Sequence, residues 1–577
     1  MKKDGEVILD FSEQCANFAN FYEDLAKPLE SPNFDNDYLS RVETDLELIR
    51  EFIENFDELL DPISEEEVKV AINSLNSNKA ADEFGISAEH LKYASSSLVP
   101  SLTLLLNAII EFSFIPDQFK SGILYPILKR GKDPSNFENF RGITVSPLLG
   151  KVLELVILDR IIVKFPEFQS KLQFGFTKGL SPLIAALIIS EAIIESAETG
   201  QKLFIALLDS QRAFDVVNHC SIKRKLFLNG IHTKFWKLID NWYQNLSSKV
   251  KWKSEISNTF PILQGVRQGG ILSTGLYKTY INELLLTLEE QQLGKYIGST
   301  YIGCPTVADD VALLSNSEEE LQLMLDITYR YSTRERYNIH PQKSMIIPKI
   351  TSKRIEISTD WKLGQNDIMV KNEGTHLGII RAVTNELTVN ISERISCARK
   401  TLYSLTGTGL HGTNGLPPTQ CLFMFDTYVL PRLLYGLEVF VTRQCDLKLL
   451  ENFHINFLRK IQALPTRTAT CFTYLVLGCR PVTAELHLRQ FSLLGSILRS
   501  QNSTLINILI RQSSLKSESS KSWFNYIKTL LNQYGLPDIS TLSKSTLSKL
   551  TWKGLVKEHI NKYWNEKLQQ ECTTNHL

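Results

Sequence analysis

The sequence predicts an α+β protein in which buried strands are flanked by amphipathic helices. Residues 203–208 form an uninterrupted apolar run that ends on Asp209, which is typical of a strand covered on both faces. Apolar residues also flank Asp309 and Asp310, a pattern that indicates two strands joined by a tight turn. Helical periodicity dominates the first hundred residues and the region after residue 385. We therefore expect the sheet in the middle of the chain.

Charge is distributed unevenly along the 577 residues. The chain holds 63 basic and 63 acidic residues, so its formal net charge is zero. Residues 1–68, however, contain 20 acids and 5 bases, which leaves a surplus of 15 bases in the remainder. A basic body of this kind suits contact with phosphates. For the acidic segment itself, a solvated helical face is the simpler interpretation.

Several classes of protein are excluded by composition. The nine cysteines have no CxxC spacing, which argues against a disulfide framework and a zinc ribbon. The N-terminus lacks the pattern of a signal peptide, and no window of about 20 apolar residues predicts a membrane span. We expect an intracellular protein of the nucleus or cytoplasm, without a membrane partner.

The N-terminal third is predicted to be mainly helical. An amphipathic pattern over residues 12–60 is interrupted near Pro28 and Pro32. Ser64, followed three residues later by Glu67, predicts a capping box at the start of the next helix. Residues 102–114 are expected to form a buried helix.

A basic hairpin follows. Residues 119–178 contain ten Lys or Arg and five acids, with strand patterns at 123–128 and 140–145. Two strands joined by a basic loop can fold over a triphosphate, with Lys129 and Arg141 as candidates for binding it. A solvated basic loop is the alternative. Further along, Gln268 and Gly269 lie in a glycine-rich turn before a helical pattern, where a backbone can approach a ligand closely.

The carboxylates are the candidates for chemistry. Asp209, at the end of its strand, is expected to lie beside the hairpin that carries Asp309 and Asp310. Three such carboxylates can hold two metal ions about 3.5–4 Å apart and stabilise both oxygens of a phosphoryl transfer. A solvated turn is the alternative for an isolated Asp-Asp pair.

Together these segments resemble the reverse transcriptase of non-LTR (LINE-like) retrotransposons. The similarity covers about residues 79–380. The matching blocks, in the order of that family, are Lys79-Ala80, Gly85-Ile86, Glu89-His90-Leu91-Lys92, Pro126 to Lys132, Asn139 to Thr144, Gln173-Phe174-Gly175-Phe176, Leu208-Asp209, Ala213-Phe214-Asp215, Gly265 to Gly269, Ala308-Asp309-Asp310, Gln342-Lys343-Ser344 and His376 to Ile379.

This resemblance implies a right-hand polymerase of fingers, palm and thumb, with a ferredoxin-like palm sheet. It implies domains at residues 1–107 (acidic helical extension and start of the fingers), 108–384 (fingers and palm), 385–500 (thumb-like helices) and 501–577 (helical extension). The Ser-rich stretch at 513–522 is interpreted as a linker, with helices at 523–531 and 552–568 beyond it. No endonuclease segment is recognised before the matching region.

The resemblance also implies residue roles. Asp209, Asp309 and Asp310 match metal-binding carboxylates, and Lys343 matches a lysine that protonates the leaving pyrophosphate. A ring at Phe214 matches the residue that excludes a 2′-OH by clash. The remaining implied nucleotide-binding residues are Lys129, Arg141, Gln268 and Gly269.

The predicted function is RNA-directed DNA polymerisation with two Mg²⁺ ions, for which Mn²⁺ is a substitute. The implied partners are an RNA template, a DNA primer and deoxynucleoside triphosphates. A catalytically inactive, nucleic-acid-binding remnant of such an element is the alternative. An RNA-templated RNA polymerase shares the metal chemistry, but Phe214 argues against it.

Overall fold

The computed structural model describes residues 1–3, 6–28, 30–56, 58–162, 168–349, 360–412, 414–517 and 519–574. The chain divides into two compact units, each assembled from three separate segments. Unit one comprises Met1–Ser170, Ser210–Thr287 and Asp326–His340. Unit two comprises Lys171–Asp209, Leu288–Leu325 and Pro341–Leu577.

Unit one contains the basic hairpin predicted from the sequence. Strand Ile123–Leu128 pairs antiparallel with Phe140–Val145 and parallel with Ser247–Trp252. The short strands of this unit are Lys2–Lys3, Glu6–Val7, Glu255–Ile256 and Phe260–Pro261. Its helices are Phe11–Leu25, Asn36–Glu54, Glu65–Ser74, Ala88–Tyr93, Ser95–Phe112, Asp117–Lys120, Leu148–Ile162, His219–Leu228 and Thr233–Trp242, with a 3₁₀ turn at Phe137–Asn139.

Local signals in the N-terminal third were predicted accurately. The helices end at Leu25 and resume at Asn36, so the predicted interruption near Pro28 and Pro32 is confirmed. The Ser64 capping box is also present: Ser64 Oγ accepts from the backbone of Glu67, whose carboxylate accepts from the backbone of Ser64. The predicted buried helix begins earlier, at Ser95, and ends at Phe112, whose ring is exposed. Burial of that helix is therefore only partial.

The acidic N-terminal segment is an integral part of unit one. Helix Phe11–Leu25 packs on strand Ser247–Trp252, with Phe18 fully buried at the contact. Its acids also form ion pairs with basic residues far along the chain. Asp45 lies 2.5 Å from Arg224, and Glu67 lies 2.6 Å from Arg160. The segment is therefore more than a solvated acidic face.

Unit two is built on a six-stranded sheet. Its strand order is Thr306–Val307, Asp310–Ser315, Leu203–Asp209, Met345–Lys349, Asn366–Val370 and Trp361–Leu363. The strand Leu203–Asp209 is antiparallel to both of its neighbours, and residues 203–208 are all buried. Helix Pro182–Glu198 packs against it. The predicted central strand and the predicted hairpin are both confirmed.

The remainder of unit two is largely helical. Small two-stranded pairs form at Tyr296–Ile297 with Thr300–Tyr301 and at Glu373–His376 with Ile379–Ala382. Two helices have residues in both units, Ile271–Glu290 and Glu318–Arg334. The other helices are Glu386–Thr406, Pro418–Met424, Leu430–Leu434, Gln444–Ile461, Thr470–Leu477, Val482–Leu498, Ser503–Leu515, Trp523–Gln533, Ile539–Lys544 and Lys549–Thr574, with a π-helical turn at Phe425–Val429 and a 3₁₀ turn at Leu437–Val439.

The prediction of a Ser-rich linker at 513–522 is partly wrong. Residues 513–515 complete helix Ser503–Leu515. Ser522 Oγ and the backbone N–H of Trp523 both donate to the buried carboxylate of Glu191, at 2.8 and 2.6 Å. A buried carboxylate needs such donors, so this network holds the segment to helix Pro182–Glu198. The predicted helices near 523–531 and 552–568 are confirmed.

The α+β prediction is confirmed by this mixture of sheets and helices. The predicted domain boundaries remain predictions. Within the described ranges, no helix combines the length and apolar character that crossing a bilayer requires.

Candidate active site

Asp209 stands at the C-terminal end of the central strand of unit two. Its backbone N–H donates to Ser344 Oγ at 3.2 Å, which ties the strand end to the segment before Met345–Lys349. The Asp209 side chain is 42% exposed. A buried strand thus delivers a carboxylate to the surface, as the apolar run ending on Asp209 predicted.

Asp309 and Asp310 occupy the hairpin beside that strand. Val307 pairs with Asp310, so the turn consists of Ala308 and Asp309. Asp310 is in turn the direct cross-strand partner of Asp209. Directly opposed residues project from the same face of a sheet, with Cβ atoms about 4.5–5.5 Å apart. The structure therefore brings the three predicted carboxylates to one end of the sheet.

The three side chains of this carboxylate cluster (Asp209, Asp309 and Asp310) lie close enough for their charges to repel. Burial, and then the charges of Asp309 and Asp209, raise the pKa of Asp310 to about 6. Two neighbouring carboxylates resist ionisation because like charges repel. Lys343 offsets part of this charge, since its Nζ lies 3.4 Å from Asp209 Oδ2. Lys343 therefore lies beside the cluster.

The cluster fits hard divalent cations through its donor set. Among the described residues, no three His, Cys, Asp or Glu side chains are grouped as a ready cage for a metal ion. A protein cage is not what Mg²⁺ requires: it binds through one or two carboxylates together with water and substrate phosphates. Burial is the largest cause of the raised pKa of Asp310, and the charges of Asp309 and Asp209 add a repulsion that a cation would relieve. The residues present therefore suit a hard divalent cation.

The predicted phosphate-binding residues lie on the hairpin of unit one. Arg141 is the cross-strand partner of Ile127, and the Lys129 N–H donates to Asn139 O at 2.8 Å. Lys129 and Arg141 are therefore diagonal neighbours on one face of the hairpin. Arg141 is exposed, and Lys129 Nζ donates to Glu138 O at 2.9 Å. The hairpin can present both cations to one ligand.

Phe214 is backed by a second ring in unit one. Its ring stacks on Tyr277 with centroids 4.6 Å apart and planes 12° apart. Tyr277 is only 2% exposed, whereas Phe214 is partly exposed. Because Tyr277 is anchored in helix Ile271–Glu290, the Phe214 ring has a firm support on one face.

Gln268 and Gly269 lie in a loop held against the hairpin of unit one. Thr144 N–H donates to Gln268 O at 2.8 Å. A Cβ on Gly269 would lie 2.5 Å from Thr144 O, and its φ is +120°, so only glycine suits this position. The following helix begins at a buried carboxylate, because Glu154 accepts from the Leu272 N–H at 2.9 Å. Gly269 therefore serves first to let the loop approach the strand.

Asp215 is a functional candidate that the sequence prediction left out. Gln268 Nε2 donates to Asp215 Oδ1 at 3.1 Å. Burial raises the pKa of Asp215 to about 6, although Gln268 and the cations of Arg212 and Lys129 act in the opposite direction. Near neutral pH the carboxylate can only accept, so it selects the NH₂ end of the Gln268 amide. In the sequence, the position of Asp215 next to Phe214 in the matched block was the feature that indicated a functional role.

Gln173 is the second residue that was not singled out. It is 2% exposed, and its Oε1 accepts from the Ala308 N–H at 2.9 Å, in the turn that carries Asp309. The two partners are 135 residues apart. In the sequence, only the matched Gln-Phe-Gly-Phe block indicated that this segment belongs to the functional region.

The central part of the chain is similar to known proteins. Residues 127–379 match the family model described as "Reverse transcriptase (RNA-dependent DNA polymerase)". The chain is 25% identical over 429 residues to an RNA-directed DNA polymerase from mobile element jockey of Drosophila funebris, covering 71% of this chain and 45% of that protein. It is 24% identical over 422 residues to a probable RNA-directed DNA polymerase from transposon X-element of Drosophila melanogaster, covering 72% and 44%. The chain thus spans less than half the length of these relatives.

Among solved structures, one similar chain is apo telomerase from Candida tropicalis truncated from its C-terminal domain. The alignment has a TM-score of 0.32 and 15% identity, and covers 49% of this chain and 58% of that chain. The resemblance recognised from the sequence is confirmed by the family model and by the non-LTR retrotransposon relatives. The mixed sheet and helix composition is consistent with the right-hand polymerase fold of that family.

Proposed function

We propose, from the premise that residues 127–379 form a reverse transcriptase domain, that the chain is an RNA-directed DNA polymerase of a non-LTR retrotransposon. It would extend a DNA 3′-OH along an RNA template, using deoxynucleoside triphosphates. The observation that carries this proposal is the opposition of Asp209 and Asp310 across one strand pair, with Asp309 in the adjoining turn. Phosphoryl transfer depends mainly on positioning and on neutralising charge, which such a cluster can provide.

The carboxylates of Asp209, Asp309 and Asp310 are the groups that would hold divalent cations. When bound, two such ions neutralise the phosphates and orient the attacking and leaving oxygens. The Lys343 ammonium, 3.4 Å from Asp209 Oδ2, adds positive charge at the same cluster. We assign to it the proton that the leaving pyrophosphate takes up.

Five residues are the proposed contacts to the incoming nucleotide: Lys129, Arg141, Phe214, Gln268 and Gly269. Lys129 and Arg141, on one face of their hairpin, would bind the triphosphate. The Phe214 ring would meet the sugar at C2′, where a hydroxyl would clash. Gln268 and Gly269, in the loop beside the hairpin, would line the nucleotide-binding site.

Primer extension tests the proposed function directly. The purified chain is incubated with a DNA primer annealed to an RNA template, deoxynucleotides and Mg²⁺, and the products are resolved by length. We expect templated extension that stops when EDTA removes the cation and resumes with added Mg²⁺ or Mn²⁺. Binding of the same duplex is measured in parallel by fluorescence anisotropy.

Two results would contradict the proposal in different ways. Duplex binding without extension, in both Mg²⁺ and Mn²⁺, would make an inactive nucleic-acid-binding remnant the better account. Extension that uses ribonucleotides as well as deoxynucleotides would instead point to an RNA polymerase.

Replacing Asp215 by asparagine is expected to weaken nucleotide binding. An asparagine can present either a donor or an acceptor, so the amide of Gln268 would no longer have one defined orientation. The loss of a hydrogen bond to a charged group corresponds to about a tenfold rise in KM for deoxynucleotides. Steady-state primer extension at varied deoxynucleotide concentration measures this rise, and kcat should change less.

The control for Asp215 is a double-mutant cycle with Gln268→Ala. If Asp215 acts through Gln268, Asp215→Asn should raise KM little further in the Gln268→Ala background. Additive effects of the two substitutions would show that Asp215 does not act through this amide.

A further inference from the structure

The turn that carries Asp309 has an unfavourable backbone conformation. Ala308 has a φ of +57°, in the left-handed region that residues with a Cβ adopt rarely. Strand pairing holds Asp310 through its partner Asp209, whereas Asp309 lies in the two-residue turn. The direction of the Asp309 carboxylate therefore depends on the conformation of Ala308. Such a conformation persists only where the surroundings impose it.

A short segment of unit two, residues 172–175, supplies that constraint. Gln173 Oε1 accepts from the Ala308 N–H and from the Gly175 N–H, both at 2.9 Å. On either side of Gln173, the backbone is hydrogen-bonded to the first strand of the hairpin. Phe174 N–H donates to Thr306 O at 2.8 Å, and Thr306 N–H donates to Leu172 O at 2.8 Å.

Gly175 makes this approach sterically possible. A Cβ at Gly175 would lie 2.4 Å from Ala308 N, a distance at which the backbone must move. The segment and the turn are therefore in backbone contact, and the Gln173 side chain fills the space between them. With Gln173 buried and its carbonyl oxygen shared by two amides, the amide orientation is fixed.

We propose that Gln173 is a positioning residue for the reaction: it imposes the left-handed conformation of Ala308 and thereby directs the Asp309 carboxylate. This inference rests on the proposed function. Gln173 is not assigned any contact with substrate; it acts through Ala308 on the cluster. A displacement of about 1 Å in a reacting group can lower a rate about a hundredfold. Loss of a buried hydrogen bond behind the turn can therefore lower the catalytic rate strongly.

The test compares Gln173→Met with Gln322→Met. Methionine keeps the length of the side chain and removes the acceptor. Gln173 Nε2 also donates to Ala308 O at 3.5 Å, so its amide bonds both the N–H and the C=O of one residue. Gln322 is a matched control in the same unit, because it bonds the N–H and the C=O of Lys362, both at 3.0 Å. We expect Gln173→Met to lower kcat about tenfold to a hundredfold, with KM for deoxynucleotides and duplex affinity within about twofold of the unsubstituted chain. Gln322→Met should leave kcat unchanged.

A second substitution separates positioning from general support of the fold. Glycine adopts a positive φ readily, so Ala308→Gly should reduce the dependence of the turn on Gln173. We expect the kcat loss caused by Gln173→Met to be several-fold smaller in the Ala308→Gly background. Equal losses in both backgrounds would overturn the proposal, as would a Gln173→Met variant with unchanged kcat. If Gln173→Met does not fold, Gly175→Ala, which displaces the same contact, takes its place in the cycle.

Cation binding gives a readout that does not require turnover. Mn²⁺ affinity is measured by isothermal titration calorimetry on the full chain, without nucleotide or duplex. Gln173→Met is expected to weaken Mn²⁺ binding several-fold, and Gln322→Met is expected to leave it unchanged. Unaltered Mn²⁺ affinity in Gln173→Met would overturn the proposed link to the carboxylates. A chain that binds Mn²⁺ in this Gln173-dependent way but extends no primer would instead contradict the proposed function alone.

Discussion

Asp209→Asn and Asp309→Asn are each expected to abolish templated extension, with a loss of about a thousandfold or more in rate. Asparagine has nearly the same shape as aspartate but lacks the negative charge that holds a divalent cation. Burial first, and then the charges of Asp309 and Asp209, raise the pKa of Asp310. Removing either one relieves repulsion, so the thermal stability of the variants should be unchanged or higher. Single-turnover primer extension and thermal unfolding measure the two effects.

The matched control for these carboxylates is Asp367→Asn. Asp367 lies on strand Asn366–Val370 of the same sheet, and its exposed carboxylate pairs with Lys362 at 2.5 Å. Like Asp209, it is a strand residue with a lysine partner, but it lies outside the carboxylate cluster. Asp367→Asn should extend primers at the unsubstituted rate. Extension within about tenfold of that rate by Asp209→Asn would remove the carboxylate assignment.

The strands of the carboxylate cluster could be predicted because their signal is local. An apolar run of six residues ending on Asp209 specifies a buried strand, and small or β-branched residues around Asp309 and Asp310 specify a hairpin. Once both elements are antiparallel neighbours, register alone places Asp209 opposite Asp310. The cluster thus follows from short-range pattern and one strand pairing.

The residues that support the site could not be predicted in this way. Gln173 meets Ala308 across 135 positions, and Asp215 meets Gln268 across 53. Neither contact produces a periodic pattern in the sequence. The sequence also does not show whether a given glutamine is buried or exposed. The linker prediction for the Ser-rich stretch at 513–522 was partly wrong for a related reason. Ser522 donates to the buried Glu191, 331 residues away in the sequence, whereas local composition indicated a linker.

Phe214→Ala is expected to admit ribonucleotides. The Phe214 ring is backed by the buried Tyr277 at 4.6 Å, so it cannot retreat from a 2′-hydroxyl without disturbing the helix Ile271–Glu290. Crowding of this kind costs about 1–3 kcal/mol, which corresponds to about a 5- to 150-fold preference for deoxynucleotides. Most of that preference should disappear when the ring is removed. The measurement is kcat/KM for a deoxynucleotide and for the matching ribonucleotide in single-nucleotide extension.

Two further variants distinguish a steric gate from a general loss of packing. Phe214→Tyr keeps the ring and its stacking on Tyr277, so discrimination against ribonucleotides should persist. Tyr277→Leu removes the backing but leaves the Phe214 ring, and should give an intermediate preference because the ring can then shift away from the hydroxyl. Equal use of both sugars by the unsubstituted chain would contradict the gate and favour RNA synthesis. Unchanged discrimination in Phe214→Ala would show that the sugar does not meet this ring. It would contradict the proposed contact between Phe214 and the nucleotide.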